Sequence, residues 1–264
     1  MGIALLVFAL LRYKSAKRLA QKNKQLAVAL EHAQESDNMK SIFIRHVSHE
    51  IRTPLNIITG FTQILNDPSF DIAEEERKEM MGSISDNTRQ ITQIVNELLD
   101  LSETESTSVI EKPDRTDAAS LCHQAVMDSG IESTENVEFI LLNNAEDKMP
   151  VVTNTQYVVK ILRNLLQNAM KFTERGYITL ETVRDEASNE LHFYVIDTGI
   201  GIPAEAQERI FDKFEKVDSF REGIGLGLNV ARTLARRLGG DVTLARSDSQ
   251  GSTFLLTIPT GNQG

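Results

Sequence analysis

Apolar positions recur every seven residues near the start of the chain. Leu19, Leu26 and Ala33 form one series, and Ala16, Asn23, Leu30 and Asp37 a second, offset by three. That period is the seam of a short parallel coiled coil, interrupted by a polar residue at Asn23. An amphipathic helix packed on its own chain would show the same period, but no Pro or Gly bends the path back before Pro54. From about Asn38 to Leu65, Phe43, Val47, Ile51, Pro54, Ile58, Phe61 and Leu65 fall three or four apart, the apolar face of a helix that Pro54 should kink. The loop Asn66 to Asp71 stops it. A third helix follows from about Ile72 to Glu103, striped by Met80, Ile84, Ile91, Ile94, Val95 and Leu98. Two antiparallel helices with one apolar face each cannot cover both faces alone. Two such hairpins make a four-helix bundle, so a homodimer is expected.

After Ser106 the pattern shifts to short strands alternating with helices. Strands are predicted near Ser108–Lys112, Val137–Asn143, Tyr177–Arg184, Leu191–Asp197, Asp241–Ser247 and Thr253–Ile258. Helices are predicted near Asp117–Asp128, Thr155–Thr173 and Leu226–Leu238. This is a layered α+β domain of about 150 residues. The stretch Gly199 to Gly225 is glycine-bearing and without a period, the texture of a functional loop.

Charge separates the first segment from the rest. Residues 1–24 hold six bases (Arg12, Lys14, Lys17, Arg18, Lys22, Lys24) and no acid, leaving 22 bases against 38 acids in the remainder, a net of −16. Met1 to Leu11 is an apolar run about half as long as the roughly 20 residues that span a bilayer. Bases that follow an apolar run mark the cytoplasmic side, and this order is the reverse of a signal peptide. We therefore expect residues 1–11 to be the stub of a transmembrane segment, the rest lying on the cytoplasmic side. A buried short helix would read the same way. The whole chain of 264 residues carries −10, the wrong sign for broad contact with nucleic acid phosphates. A single cysteine, Cys122, excludes an intrachain disulfide and a cysteine-built metal cluster. The expected division is a stub over 1–11, a coiled-coil helix over 12–37, a dimerisation hairpin over 38–105 and an α+β domain over 106–260.

Several residues could carry chemistry. At about 100° per residue His49 lies some 200° from Val47, away from the apolar face. Thr53 and Asn56 share its polar side and Glu50 flanks it. An exposed imidazole beside a carboxylate can act as a nucleophile, the carboxylate accepting the ring proton; taken alone, such a histidine is usually an ordinary surface residue. His46 is placed nearer the seam and read as structural. In the second domain Asn164 and Asn168 stand four apart on one helix face, and their amide oxygens suit part of a magnesium shell completed by phosphates and water. Lys171, three further on, can reach a phosphate. Asp197, ending an apolar strand before Gly199 and Gly201, can accept the exocyclic amino proton of adenine. Gly223, Gly225 and Gly227 open a helix whose amides suit phosphate oxygens. Each feature is weak singly. Together they supply the parts of one magnesium-nucleotide site.

The run Phe43 to Leu55, with His49-Glu50-Ile51-Arg52-Thr53-Pro54 at its centre, resembles the phosphoacceptor box of bacterial sensor histidine kinases. Asn164 to Thr173 resembles that family's N box, and Asp197-Thr198-Gly199-Ile200-Gly201 its first glycine box. Ile210 to Phe214 is similar to its phenylalanine box, Gly223 to Leu228 to its second glycine box, and Gly251 to Phe254 to its last. All six occur in the family's order over about residues 39–258. The resemblance implies a multidomain α and α+β fold, a dimeric four-helix-bundle hairpin followed by the ATP-binding α/β sandwich shared with heat-shock chaperone ATPases and DNA gyrase.

It also implies site roles. His49 would be the phosphoacceptor, Glu50 the base, and Thr53 the residue that positions water when the regulator is dephosphorylated. Asn164 and Asn168 would bind Mg2+, and Lys171 a phosphate of ATP. Asp197 would contact adenine with Phe172 against the base, and Lys216 would steady the terminal phosphate. Gly199, Gly201, Gly223, Gly225, Gly227 and Thr253 belong to the nucleotide boxes. The expected phosphate acceptor is the receiver domain of a response regulator outside these 264 residues, on a separate protein or a further domain. Asn154 stands where aspartate is frequent in the family, and asparagine caps a helix nearly as well. A kinase-inactive nucleotide-binding scaffold is the alternative reading. An ATPase clamp would share the sandwich but has no use for an exposed histidine on a hairpin.

Overall fold

A computed structural model describes residues 14, 17, 22, 23, 26, 30, 34, 41, 43–106, 113–143, 149–216 and 224–261. The chain forms two compact units, Met1–His49 and Glu50–Gly264. Every described residue of the first unit is helical. Leu26 and Leu30, one from each heptad series, are 68% and 58% exposed, so neither is covered by its own chain. The apolar run 1–11, the heptad positions Ala16, Leu19, Ala33 and Asp37, and the expected strand at 108–112 lie outside the described residues. Among the described residues no helix is long and apolar enough to cross a membrane.

The second unit opens with a helical hairpin. Helix α1 (50–66) continues unbroken through Pro54, which is buried. In the connecting loop Asp67 accepts hydrogen bonds from the Ser69 amide (2.9 Å) and hydroxyl (2.7 Å), and this pairing holds the Asp67 carboxyl below its usual range. Helix α2 (Glu74–Ser106) starts with three glutamates, which suit the positive end of the helix dipole. Its apolar stripe is as the spacing predicts, with Ile94 fully buried, except that Val95 is exposed.

The remainder is a sheet covered by helices. Strands β2 (Val137–Asn143), β4 (Gly176–Asp185), β5 (Glu190–Asp197), β6 (Asp241–Asp248) and β7 (Gly251–Pro259) order as β2-β4-β5-β7-β6. Of these neighbours only β2 and β4 run parallel. Burial alternates along β5, so Leu191, Phe193, Val195 and Asp197 share the inward face. Val195 lies opposite Leu180 and Phe254, and Phe193 opposite Leu256, which extends that face over three strands. Helices α3 (Ala118–Ser129), α4 (Thr155–Phe172) and α5 (Gly227–Arg237) complete the layer. Helix α4 buries Val158, Val159, Ile161, Leu162, Leu165, Leu166 and Ala169, each worth roughly 1.5–3 kcal/mol for a large side chain fully removed from water. Its polar side is left for chemistry. Asn154 caps α4 by accepting from the Tyr157 amide at 2.9 Å, as expected of an asparagine there. Cys122 is buried beside Thr182, and burial pushes its thiol up to about 11.

Two short strands were not expected. β1 (Asp114–Asp117) and β3 (Pro150–Thr153) pair antiparallel as a separate ribbon. Four residues are too few to show alternation, and three of the four in β1 are charged. Helix α2 also packs against the sandwich, a contact that a bundle alone does not call for. Asp100 meets Lys160 and Arg163 at 2.7 Å each. Arg237 donates to the Thr104 carbonyl and Lys213 pairs with Glu105.

Candidate functional site

A cavity of about 150 Å³ lies along the polar side of α4. Helix α4 contributes Asn164, Gln167, Asn168, Lys171 and Phe172, spaced by threes and fours as one face requires. Strand β5 delivers Asp197 at its end, followed by Ile200, Gly201 and Ile202; β7 adds Ser252. Ile210, Glu215 and Lys216 close another side, and Gly225 to Leu228 bring the start of α5. Gln93 and Glu97 of α2 complete the wall.

Asp197 is buried, and desolvation raises its carboxyl above the usual range. The amides of Gly199 (2.9 Å) and Ser252 (3.3 Å) both donate to Oδ1. They oppose the effect of burial in part and leave Oδ2 to accept from a ligand. The carboxylate is fixed by its own chain and has one acceptor over, which fits an exocyclic amino group.

The α5 end fits an anion. Its N-cap is Leu226, which makes no side-chain cap, so the first-turn amides have no side-chain acceptor from that residue. A Cβ built on Gly227 would meet nothing within 4 Å, so the glycine keeps that helix start open. Asn164 donates its Nδ2 to the Gly227 carbonyl at 3.3 Å, which leaves its side-chain oxygen as a ligand atom and ties α4 to α5. Asn164 and Asn168 thus offer hard neutral oxygens close to the anion-suited helix start, a donor set that fits magnesium when phosphates supply further ligands. Lys171 adds a cation, its Nζ 5.1 Å above the Phe172 ring.

Two expectations need correction. Of the first glycine box, Gly201 lines the cavity and Gly199 does not. A Cβ on Gly199 would fall 2.4 Å from the Phe172 carbonyl oxygen, and one on Gly201 1.8 Å from that of Asp248, so both exist for close packing of backbone. Gly199 accordingly stands behind the cavity wall. Thr253 is likewise absent from the lining. Ser252 lies directly opposite Asp197 in the β5–β7 register, and the next residue of a strand points to the other face. Gly223 lies outside the described residues.

The hairpin residues are placed as follows. His49, in the first unit, is exposed, and so is His46, so burial does not separate the two as expected. Thr53 is exposed on α1. Glu50 pairs with Lys216 at 3.2 Å, both side chains largely covered. Gln93, Gln167, Glu97, Glu215 and Ser252 also line the cavity and were not expected there. Gln167 is accessible from helical spacing, one turn from Asn164. Glu97 is not, because nothing in its own helix marks it as facing another domain. Burial raises the Glu97 carboxyl, opposed by bonds from Gln93 (3.2 Å) and the Ile224 amide (3.3 Å) and by the charge of Lys171.

The same two-part organisation is found in known proteins. Residues 39–107 match the sequence model of the His Kinase A (phospho-acceptor) domain. Residues 153–262 match that of the histidine kinase-, DNA gyrase B- and HSP90-like ATPase. Aerobic respiration control sensor protein ArcB of Escherichia coli strain K12 is 34% identical over 244 residues, covering 89% of this chain and 30% of ArcB. Sensory/regulatory protein RpfC of Xanthomonas campestris pv. campestris is 33% identical over 252 residues, covering 88% and 33%. The chain therefore spans about a third of the length of these curated relatives. Among solved structures, histidine kinase ThkA in complex with response regulator protein TrrA superposes with a TM-score of 0.63 at 22% identity, covering 83% of this chain and 61% of that one. Full-length ShkA in complex with AMPPNP gives 0.56 at 26%, covering 82% and 45%. With both halves of the sequence matched in order, the chain belongs to the histidine kinase family, joining a phospho-acceptor hairpin to an ATPase domain of the gyrase and HSP90 kind.

Proposed function

We propose that the chain is the kinase core of a sensor that phosphorylates His49 from Mg-ATP and passes the phosphoryl group to an aspartate of a response regulator. The observation that carries this reading is one cavity joining an adenine acceptor, Asp197, to an uncapped helix start at Gly227 with Asn164, Asn168 and Lys171 alongside. It is supported by an exposed His49 within the matched phospho-acceptor span and by the likeness to full-length ShkA, whose solved complex holds AMPPNP.

Asp197 would hold the amino group of adenine and Phe172 would lie against the ring. Asn164 and Asn168 would hold magnesium, which supplies charge neutralisation when bound. A ring nitrogen of His49 forms the bond to the terminal phosphorus as the bond to the bridging oxygen breaks, releasing ADP, and Glu50 takes the ring proton. Such transfer rests on positioning and electrostatics more than covalent help. Thr53 would position water when the regulator is dephosphorylated.

The wider assembly belongs to the same reading. A homodimer would cover Leu55, Ile57 and Leu99, which the hairpin exposes, and a coiled coil over 12–37 would cover Leu26 and Leu30. The apolar run at 1–11 followed by six bases supports attachment to an inner membrane, with the kinase core on the cytoplasmic side.

The test is transfer. Protein loaded with labelled ATP and mixed with isolated receiver domains should pass label to at least one of them. His49→Gln should lose both loading and transfer while retaining nucleotide. Undiminished label in the variant would refute the assignment.

A further inference from the structure

The hairpin places two carboxylates on the groups that would handle phosphate. Glu97 of α2 reaches the nucleotide cavity and accepts the Ile224 amide through Oε2 at 3.3 Å, three residues before the start of α5. Its other oxygen accepts from Gln93 at 3.2 Å. Glu50 of α1 holds Lys216, the cation expected at the terminal phosphate, through Oε1 at 3.2 Å. Both carboxylates are largely covered, and both come from the hairpin rather than from the sandwich. A carboxylate and a phosphate want the same partners, a backbone N–H near a helix start and an ammonium group.

We propose that Glu97 and Glu50 stand in for ATP phosphates, so that docking of the hairpin on the sandwich and binding of ATP are mutually exclusive at the Ile224 amide and at Lys216. This rests on the ATP-binding reading given above. An incoming triphosphate brings like charge against Glu97 in a covered site and takes the donors that held both carboxylates. Removing those bonds loosens the hairpin from the sandwich, leaving the outlying hold at the far end of α2, where Asp100 meets Lys160 and Arg163, Arg237 donates to the Thr104 carbonyl and Lys213 pairs with Glu105. It also frees Glu50 for the proton-accepting role proposed for it. A nucleotide-loaded sandwich is thereby released from the hairpin, and an empty one is held in place.

Titration of the full chain with Mg-AMPPNP tests this, using wild type, Glu97→Gln and Asp197→Asn. Glu97→Gln keeps shape and removes charge, and it should tighten binding about tenfold, the scale of one like-charge contact relieved. Asp197→Asn should bind far more weakly than either. In wild type, AMPPNP should raise amide hydrogen exchange over residues 93–105, because α2 loses its hold. Equal or weaker binding by Glu97→Gln, with Asp197→Asn still impaired, overturns the competition and leaves the ATP site standing. Unchanged or increased protection of 93–105 on saturation also overturns it. No binding by any of the three proteins overturns both the competition and the site.

Discussion

A Cβ on Gly201 would fall 1.8 Å from the Asp248 carbonyl oxygen, and its backbone sits at φ +68°, whereas a Cβ on Gly227 would meet nothing within 4 Å. The two glycines line the same cavity for different reasons, so their alanine variants should separate. Gly201→Ala should cost about 2–4 kcal/mol of stability through strain and overpacking, read as a fall in unfolding midpoint. Gly227→Ala should leave stability within about 0.5 kcal/mol, as for substitutions that disturb no packing, and should weaken Mg-ATP binding about tenfold by filling the phosphate side of the helix start. Unchanged Mg-ATP binding by Gly227→Ala would mean that the open space at Gly227 is not a ligand's. Asp197 divides its work in the same way within one side chain. Two amides on one oxygen hold the carboxylate in place, and the other oxygen is left to accept from a ligand.

At the scale of elements, the hold of α2 on the sandwich centres on Asp100, which meets two cations at 2.7 Å and is about one-fifth exposed. Asp100→Asn takes from Arg163 its carboxylate partner and leaves Lys160 with Glu103 at 3.1 Å. A fully buried pair broken this way costs about 3–5 kcal/mol; partial exposure reduces this to about 1–3 kcal/mol, expected as a lower thermal midpoint. An unchanged midpoint would mean that the docking contributes nothing to the unit. The elements themselves differ in how far they can be read from sequence. Strand β5 and helix α4 are long, and each carries one period throughout, so their faces follow from spacing alone. Asn154 can be named as a cap because its chemistry is local. β1 and β3 are too short to carry a period, and their pairing is set by residues far apart in the chain. Thr253 stands within a motif, and only the register that sets Ser252 opposite Asp197 shows which of the two neighbours faces the cavity. Glu97 becomes visible only with the docking of α2, since it lies on a polar helix flank like many surface glutamates.

For the molecule as a whole, the proposed reading draws nucleotide and nucleophile from different elements, so control would lie in how they meet. The sandwich would hold ATP between Asp197 and the start of α5; the hairpin would carry His49 and also the carboxylates that compete with phosphate. On this account the same hairpin is both the substrate and the restraint of its kinase. The most direct measurement of the central claim is the location of the phosphate. Incubation with Mg-ATP, digestion at alkaline pH and mass spectrometry should find one acid-labile phosphate, on the peptide containing His49. Phosphate on another residue, or steady ATP hydrolysis with His49 unmodified, would contradict it.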